Sequence, residues 1–150
     1  MLTPRDLGEH GGILPRMRSA VVGGVAVLVL AACGGTSSST VSLPPAGASA
    51  SVVLDTYLRA LVAGDCATAH ALAASTFTVG NGELCTDVNV TAFTVPHNPA
   101  SPEKGTVEYA SVLTTDGSSD GSVPAGRTTW FYRLEQQRGE WRLVSGGSGP

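Results

Sequence analysis

Gly117-Ser118-Ser119-Asp120-Gly121 has the glycine-serine-glycine spacing of a nucleophile elbow. In an elbow the serine rides a sharp turn between a strand and a helix. Here a strand-like segment runs into a Gly/Ser/Pro loop, so a chance match in a solvated turn is the better reading. Asp116 and Asp120 place carboxylates in the same stretch, but most oxygen ligands of a calcium loop are missing. His70 is the best-placed group for acid/base work, since imidazole exchanges protons near neutral pH. If it faced an interior, Asp55 or Tyr57 would be its neighbour; a surface or satisfied core histidine is the simpler role. His97, between prolines, has less support. Tyr57, Tyr109, Trp130 and Tyr132 read first as core and second, with His70, as a candidate ligand pocket. In a pocket their polar tips would orient a ligand while the rings supply apolar contact. The sequence holds no phosphate-binding glycine loop and no metal-ligand cluster, so neither a cofactor nor a metal is expected. No residue is assigned a catalytic role.

These groups must be carried by a small set of elements. Leu54, Tyr57, Leu58, Leu61 and Val62 are spaced as one face of a helix, starting near Ser51 and ending at Gly64. Asp65 can cap a second helix running from Cys66 to Ala73, since its carboxylate can accept from the exposed amides of the first turn. After Ser75 the pattern becomes strand-like, beginning with Thr76 to Val79 and a turn at Gly80-Asn81-Gly82. From Asp87 to Val95 the alternation shifts phase between Ala92 and Phe93, which marks a bulge or a break between strands. Pro96, Pro99 and Pro102 make a loop, and Thr106 to Thr115 reads as a strand. Thr128 to Gln136 and Glu140 to Ser145 form a hairpin about Gln137-Arg138-Gly139, with Trp130, Tyr132, Leu134, Trp141 and Leu143 on one face.

Two helices followed by an antiparallel meander is an α+β order. Tyr57-Leu58-Arg59-Ala60-Leu61, the break at Gly64-Asp65 and the closing Gly139-Glu140-Trp141-Arg142-Leu143-Val144 strand resemble the nuclear-transport-factor-two-like superfamily. The resemblance spans roughly Ala48 to Gly146. It implies helices packed on a curved antiparallel sheet, wrapped as a cone that often holds a pocket. The interval from Ala73 to Thr86 is short for the further helix that helps enclose that pocket. Enzymes of the superfamily place an acidic or histidine base inside the cone, and no such dyad can be matched here residue by residue.

Ahead of these elements lies an address. Arg16 and Arg18 precede an apolar run from Ala20 to Leu30 that ends in small residues, the grammar of a secretory signal. A membrane-spanning helix needs roughly 17–25 apolar residues, so the run is too short to stay as an anchor. Leu30-Ala31-Ala32-Cys33 resembles the lipobox of bacterial lipoproteins, in which the cysteine becomes the lipidated first residue. That implies cutting behind Ala32 and a diacylglyceryl thioether on Cys33, with Met17 offering a second start. A plain secreted protein with a stray thiol is the alternative. With Cys33 given to lipid, Cys66 and Cys85 remain in a compartment where disulfides persist. Cys66, in the opening turn of its helix, would face the segment carrying Cys85. A structural bridge is favoured: a redox pair would want Cys-x-x-Cys, and two sulfurs without convergent histidines are half a zinc site.

The expected organisation is a leader over 1–32, a lipidated cysteine and flexible linker over 33–47, an α+β domain over 48–147 and a short tail over 148–150. A flexible linker of this length averages on the order of 20 Å end to end. Setting aside Arg5, Asp6, Glu9, Arg16 and Arg18, the remainder is mildly acidic with no basic stripe, which argues against nucleic acid. Asn89-Val90-Thr91 is a glycosylation sequon without a use on a bacterial lipoprotein. The expected role is a non-enzymatic binding module on the outer face of the cytoplasmic membrane, taking an envelope protein or small apolar ligand. The competing expectation is a small isomerase, cyclase or hydrolase-like enzyme with an acid/base site near His70.

Overall fold

The structure, a computed structural model, describes residues 40–95 and 98–149. The leader, Cys33 and His97 therefore lie outside the described residues. The fold is α+β: α1 (Ala50–Ala63), α2 (Cys66–Ala71), then β1 (Val88–Thr94), β2 (Ser101–Glu103), β3 (Thr106–Ser118), β4 (Gly126–Gln137) and β5 (Glu140–Gly147).

α1 forms because Val53, Leu54, Tyr57, Leu58 and Leu61 recur at helical spacing and are all buried. The opposite face carries Asp55 and Arg59, paired at 2.7 Å one turn apart. Val62, expected on the buried face, is 42% exposed. The helix has only one apolar stripe, and Val53 extends that stripe on the other side. The first helical residue is Ala50, a residue earlier than expected, with Ser49 at the cap position. Gly64 ends α1 at φ 66°, in the left-handed region, and its N–H reaches back to the Ala60 and Leu61 carbonyls. Asp65 caps α2 as expected, its carboxylate accepting from the Thr68 amide at 3.1 Å.

The sheet is antiparallel. β3 is its long central strand, paired along one side with β4, which pairs in turn with β5. On its other side β3 pairs with β1 and, further along, with β2. β2 occupies ground expected to be loop. The register of β1 shifts between Val88 and Val90 and again between Val90 and Ala92, ahead of the phase change read in the sequence, and the strand runs through Ala92 and Phe93 without a break. Arg138 (φ 54°) and Gly139 (φ 86°) join β4 to β5 as a two-residue turn, whose paired left-handed residues match the twist of a tight hairpin.

Thr76 to Val79, expected as a strand, is not one. Phe77 turns back to the Ala74 carbonyl at 2.9 Å, and Val79–Asn81 form a single 3-10 turn. The Asn81 side chain accepts from the Thr78 amide at 2.6 Å, a local bond that competes with strand pairing. Just before it, Ala74 donates to the Leu143 carbonyl at 2.8 Å and Leu143 donates to the Leu72 carbonyl at 3.2 Å. The chain just after α2 thus covers part of the β5 edge.

The core lies between α1 and the inner face of the sheet. Alternation along β3 and β4 sends Tyr109, Leu113, Trp130, Tyr132 and Leu134 inward, with Leu143 from β5. The segment expected as linker is attached to this domain from Val41 onward. The Val41 N–H donates to Asp65 Oδ2 at 2.9 Å, and its carbonyl accepts from Thr68 Oγ1 at 3.1 Å.

Candidate functional site

Asp65 does two jobs at the head of α2, holding the Thr68 amide and the Val41 amide with one carboxylate. The Val41 and Thr68 amides keep its carboxyl below the usual carboxylate range. Cys66 starts the helix, and His70 follows one turn later on the same face. Cys66 is disulfide-bonded to Cys85, with Cα atoms 5.6 Å apart. The bond ties the opening of α2 to the chain just ahead of β1.

Between the two cysteines, Gly82 (φ 99°) turns the backbone and delivers Glu83 inward. The Glu83 side chain is 3% exposed, and its Oε1 stands 3.5 Å from His70 Nε2 while the imidazole remains 53% exposed. Oε1 also accepts from the Cys85 amide at 2.5 Å. The second oxygen lies 3.4 Å from Thr86 Oγ1. A buried carboxylate, an amide donor fixed by the disulfide and a half-exposed imidazole therefore meet at one point. They border an open depression of about 350 Å³ lined further by Ala73, Phe77, Thr78 and Thr86.

A carboxylate beside an imidazole can orient the ring and balance a charge on it, which suits general acid/base work or the binding of a polar ligand. Among the described residues no group of three or more His, Cys, Asp or Glu side chains converges on a metal position.

The aromatic residues of the candidate pocket lie elsewhere. Tyr57 and Tyr132 are fully buried, their ring centroids 5.6 Å apart and nearly edge-on, and Phe77 packs on Tyr57 at 6.0 Å. Tyr109 and Trp130 are 5% and 7% exposed in the same core. The structure therefore brings Tyr57 and Tyr132 together, and none of the four lines the depression that His70 borders. Trp130 borders a different, smaller depression, with Glu83, Asp87 and Asp120 on its rim. Burial, and then the Glu83 carboxylate, raise the Tyr57 phenol above its ordinary pKa. Burial, Tyr57 and then Glu83 do the same to Tyr132. Both rings stay neutral and cannot serve as bases. Among the described residues no hydrogen-bond partner meets the Tyr57 and Tyr132 hydroxyls, Ser111 Oγ or Trp130 Nε1.

The neighbours anticipated for His70 are not its neighbours. Asp55 is on the outer face of α1 with Arg59, and Tyr57 is in the core. Glu83 takes that place, and the sequence reading passed over it. The available signal was indirect: His70 shares a helix face with Cys66, so it faces whatever Cys66 bonds, and Glu83 lies two positions before Cys85.

The serine turn is self-contained. Ser118 Oγ donates to Asp120 Oδ1 at 2.7 Å and accepts from the Val123 amide at 2.9 Å. Asp120 also takes the Ser122 amide, and these bonds, the Ser118 hydroxyl first, pull its pKa down to about 2. Asp116 accepts from Asn89. β3 leads into this turn and β4 follows, so the helix that an elbow requires is absent from this place.

Among the described residues no helix is long and apolar enough to cross a membrane. No protein-family model matches the chain, and no curated protein matches it.

Proposed function

We propose that the chain is a lipid-anchored extracytoplasmic protein whose domain, a nuclear-transport-factor-two-like cone, acts as a non-enzymatic binding module of the cell envelope. The observation that carries the non-enzymatic reading is the packing of Tyr57, Phe77 and Tyr132. Their rings pack against one another in the core between α1 and the sheet, and a cone filled in this way would leave no room there for a substrate. The disulfide supports the compartment, since such bonds persist outside the cytoplasm. The element order, two helices and then an antiparallel sheet, supports the superfamily, and the 3-10 turn between α2 and β1 supports a cone without its usual enclosing helix.

Mass spectrometry of protein extracted from membranes tests the anchor. It should find an acylated Cys33 at the N-terminus and a reduction-sensitive link between Cys66 and Cys85. Gentle crosslinking on intact cells should then capture an envelope protein or retain a small apolar ligand. An unprocessed chain free in the cytosol with reduced thiols sinks the proposal.

A second reading rests on the His70–Glu83 pair. If the depression beside it is an active site, turnover of ester or enone substrates should fall by roughly 10²-fold or more in His70→Ala, the range typical of lost general acid/base catalysis. Equal turnover in His70→Ala and the parent protein removes that reading.

A further inference from the structure

We propose that the domain turns one face to the lipid bilayer: the groove lined by Leu43, Pro44 and Pro45 with Val53, Leu72 and Trp141. This rests on the reading of Cys33 as the lipidated residue and adds an orientation to it.

The length of the leash limits which side can face the lipid. A tether free as far as Ala48 would span fifteen residues from Cys33, and at about 3.5 Å per residue could reach roughly 50 Å. The clasp on Val41 shortens it. The Val41 amide and carbonyl are both held by the head of α2, through Asp65 and Thr68. From Cys33 to Val41 the chain reaches at most about 28 Å, whatever path it takes. A domain of about 110 residues has a radius of gyration near 13 Å, which corresponds to roughly 34 Å across. Val41 therefore cannot stand at the pole opposite the bilayer, which leaves the near side and the flank, and the chemistry of the surface beside it chooses between them.

That surface has the chemistry of an interfacial one. Leu43, two residues beyond the clasp, is 57% exposed, the highest value among the large apolar side chains of the described residues. Trp141 is partly buried at the groove, and a tryptophan there suits the headgroup level, where its ring meets apolar and polar surroundings together. The charged groups on the groove are Glu140 and Arg142, and they pair with each other at 2.5 Å. Arg142 also donates to the Ala71 carbonyl. With its charges matched, the face needs no particular headgroup charge, and its contact with lipid should be insensitive to salt.

The chain's two tryptophans provide the test. Full-length protein, shown by mass to carry the acyl group on Cys33, is reconstituted into phosphatidylglycerol vesicles with and without bromine near the top of the acyl chains. Bromine should at least halve the emission from Trp141 at both low and high salt. The quenchable part should vanish in Trp141→Phe, because Trp130 is buried in the core. It should weaken in Leu43→Asp, an exposed position where folding is not at stake. Acylated protein whose emission is the same in both kinds of vesicle overturns the orientation alone, as when residues before Thr40 or a second copy cover the groove. Quenching that survives Trp141→Phe overturns it too. A Cys33 without an acyl group overturns the anchor, and this inference with it.

Discussion

Reducing the Cys66–Cys85 bond should lower the melting temperature of the domain by roughly 12–15 °C, and the size follows from the loop it closes. The cysteines are 19 residues apart. Closing a loop of that length removes about 11 cal/mol/K from the unfolded ensemble, or about 3 kcal/mol at 25 °C. Unfolding entropy near the midpoint is about 2.1 cal/mol/K per residue, so for about 110 residues each kcal/mol is worth roughly 4–5 °C. The assay is a far-UV circular dichroism melt with and without a phosphine reductant, repeated on the Cys66→Ala/Cys85→Ala double variant. That variant should melt at the same low temperature in both buffers. The bond also holds the Cys85 amide against Glu83. Glu83→Gln keeps a side-chain acceptor for that amide, and it should melt far closer to the oxidised parent than the double variant does. A shift of only about 3 °C on reduction would mean that the unfolded chain is not freed by that loop, and would refute the entropy argument.

Gly82→Ala should destabilise the domain by about 2 kcal/mol or more, from left-handed strain combined with a steric clash. Its φ is 99° and the new methyl would run into the Gly146 carbonyl; urea unfolding within a few tenths of the parent would count against that contact. Tyr132→Phe removes a buried hydroxyl that lacks a protein partner, a group whose burial costs roughly 1–3 kcal/mol, so the variant should be as stable as the parent or more so. A clear loss of stability would show that the hydroxyl is engaged. Asp65 and Asp120 have folded-state pKa values held below the ordinary carboxylate range. The stability they contribute is complete above the unfolded value of about 3.9 and is lost as pH falls through the folded values. Chemical denaturation between about pH 4 and pH 2 should show that decline in the parent. The Asp65→Asn/Asp120→Asn variant should show a shallower one, and an unchanged slope would contradict the assignment.

Much of the architecture could be read along the chain, because it depends on neighbours. The period of Leu54, Tyr57, Leu58 and Leu61 makes a helix without outside help. Gly64 and Asp65 end one helix and cap the next through bonds that span only a few residues. The β4–β5 hairpin follows from its turn residues, whereas the register shifts of β1 fall ahead of the place where its alternation changes. Thr76 to Val79 misled because strand propensity is weak against a local hydrogen bond from Asn81.

Only the tertiary structure decided what these elements place together. His70 and Glu83 are thirteen positions apart and share no periodicity. They meet because a disulfide and one left-handed glycine fold a loop back on α2. Likewise Val41 reads as part of a Gly/Ser/Pro tether, and only the capping carboxylate of Asp65, 24 residues on, makes it part of the domain. Local pattern sets the elements, because backbone hydrogen bonds and side-chain period act over a turn or two. A site is a coincidence of distant residues, fixed only when the chain closes on itself.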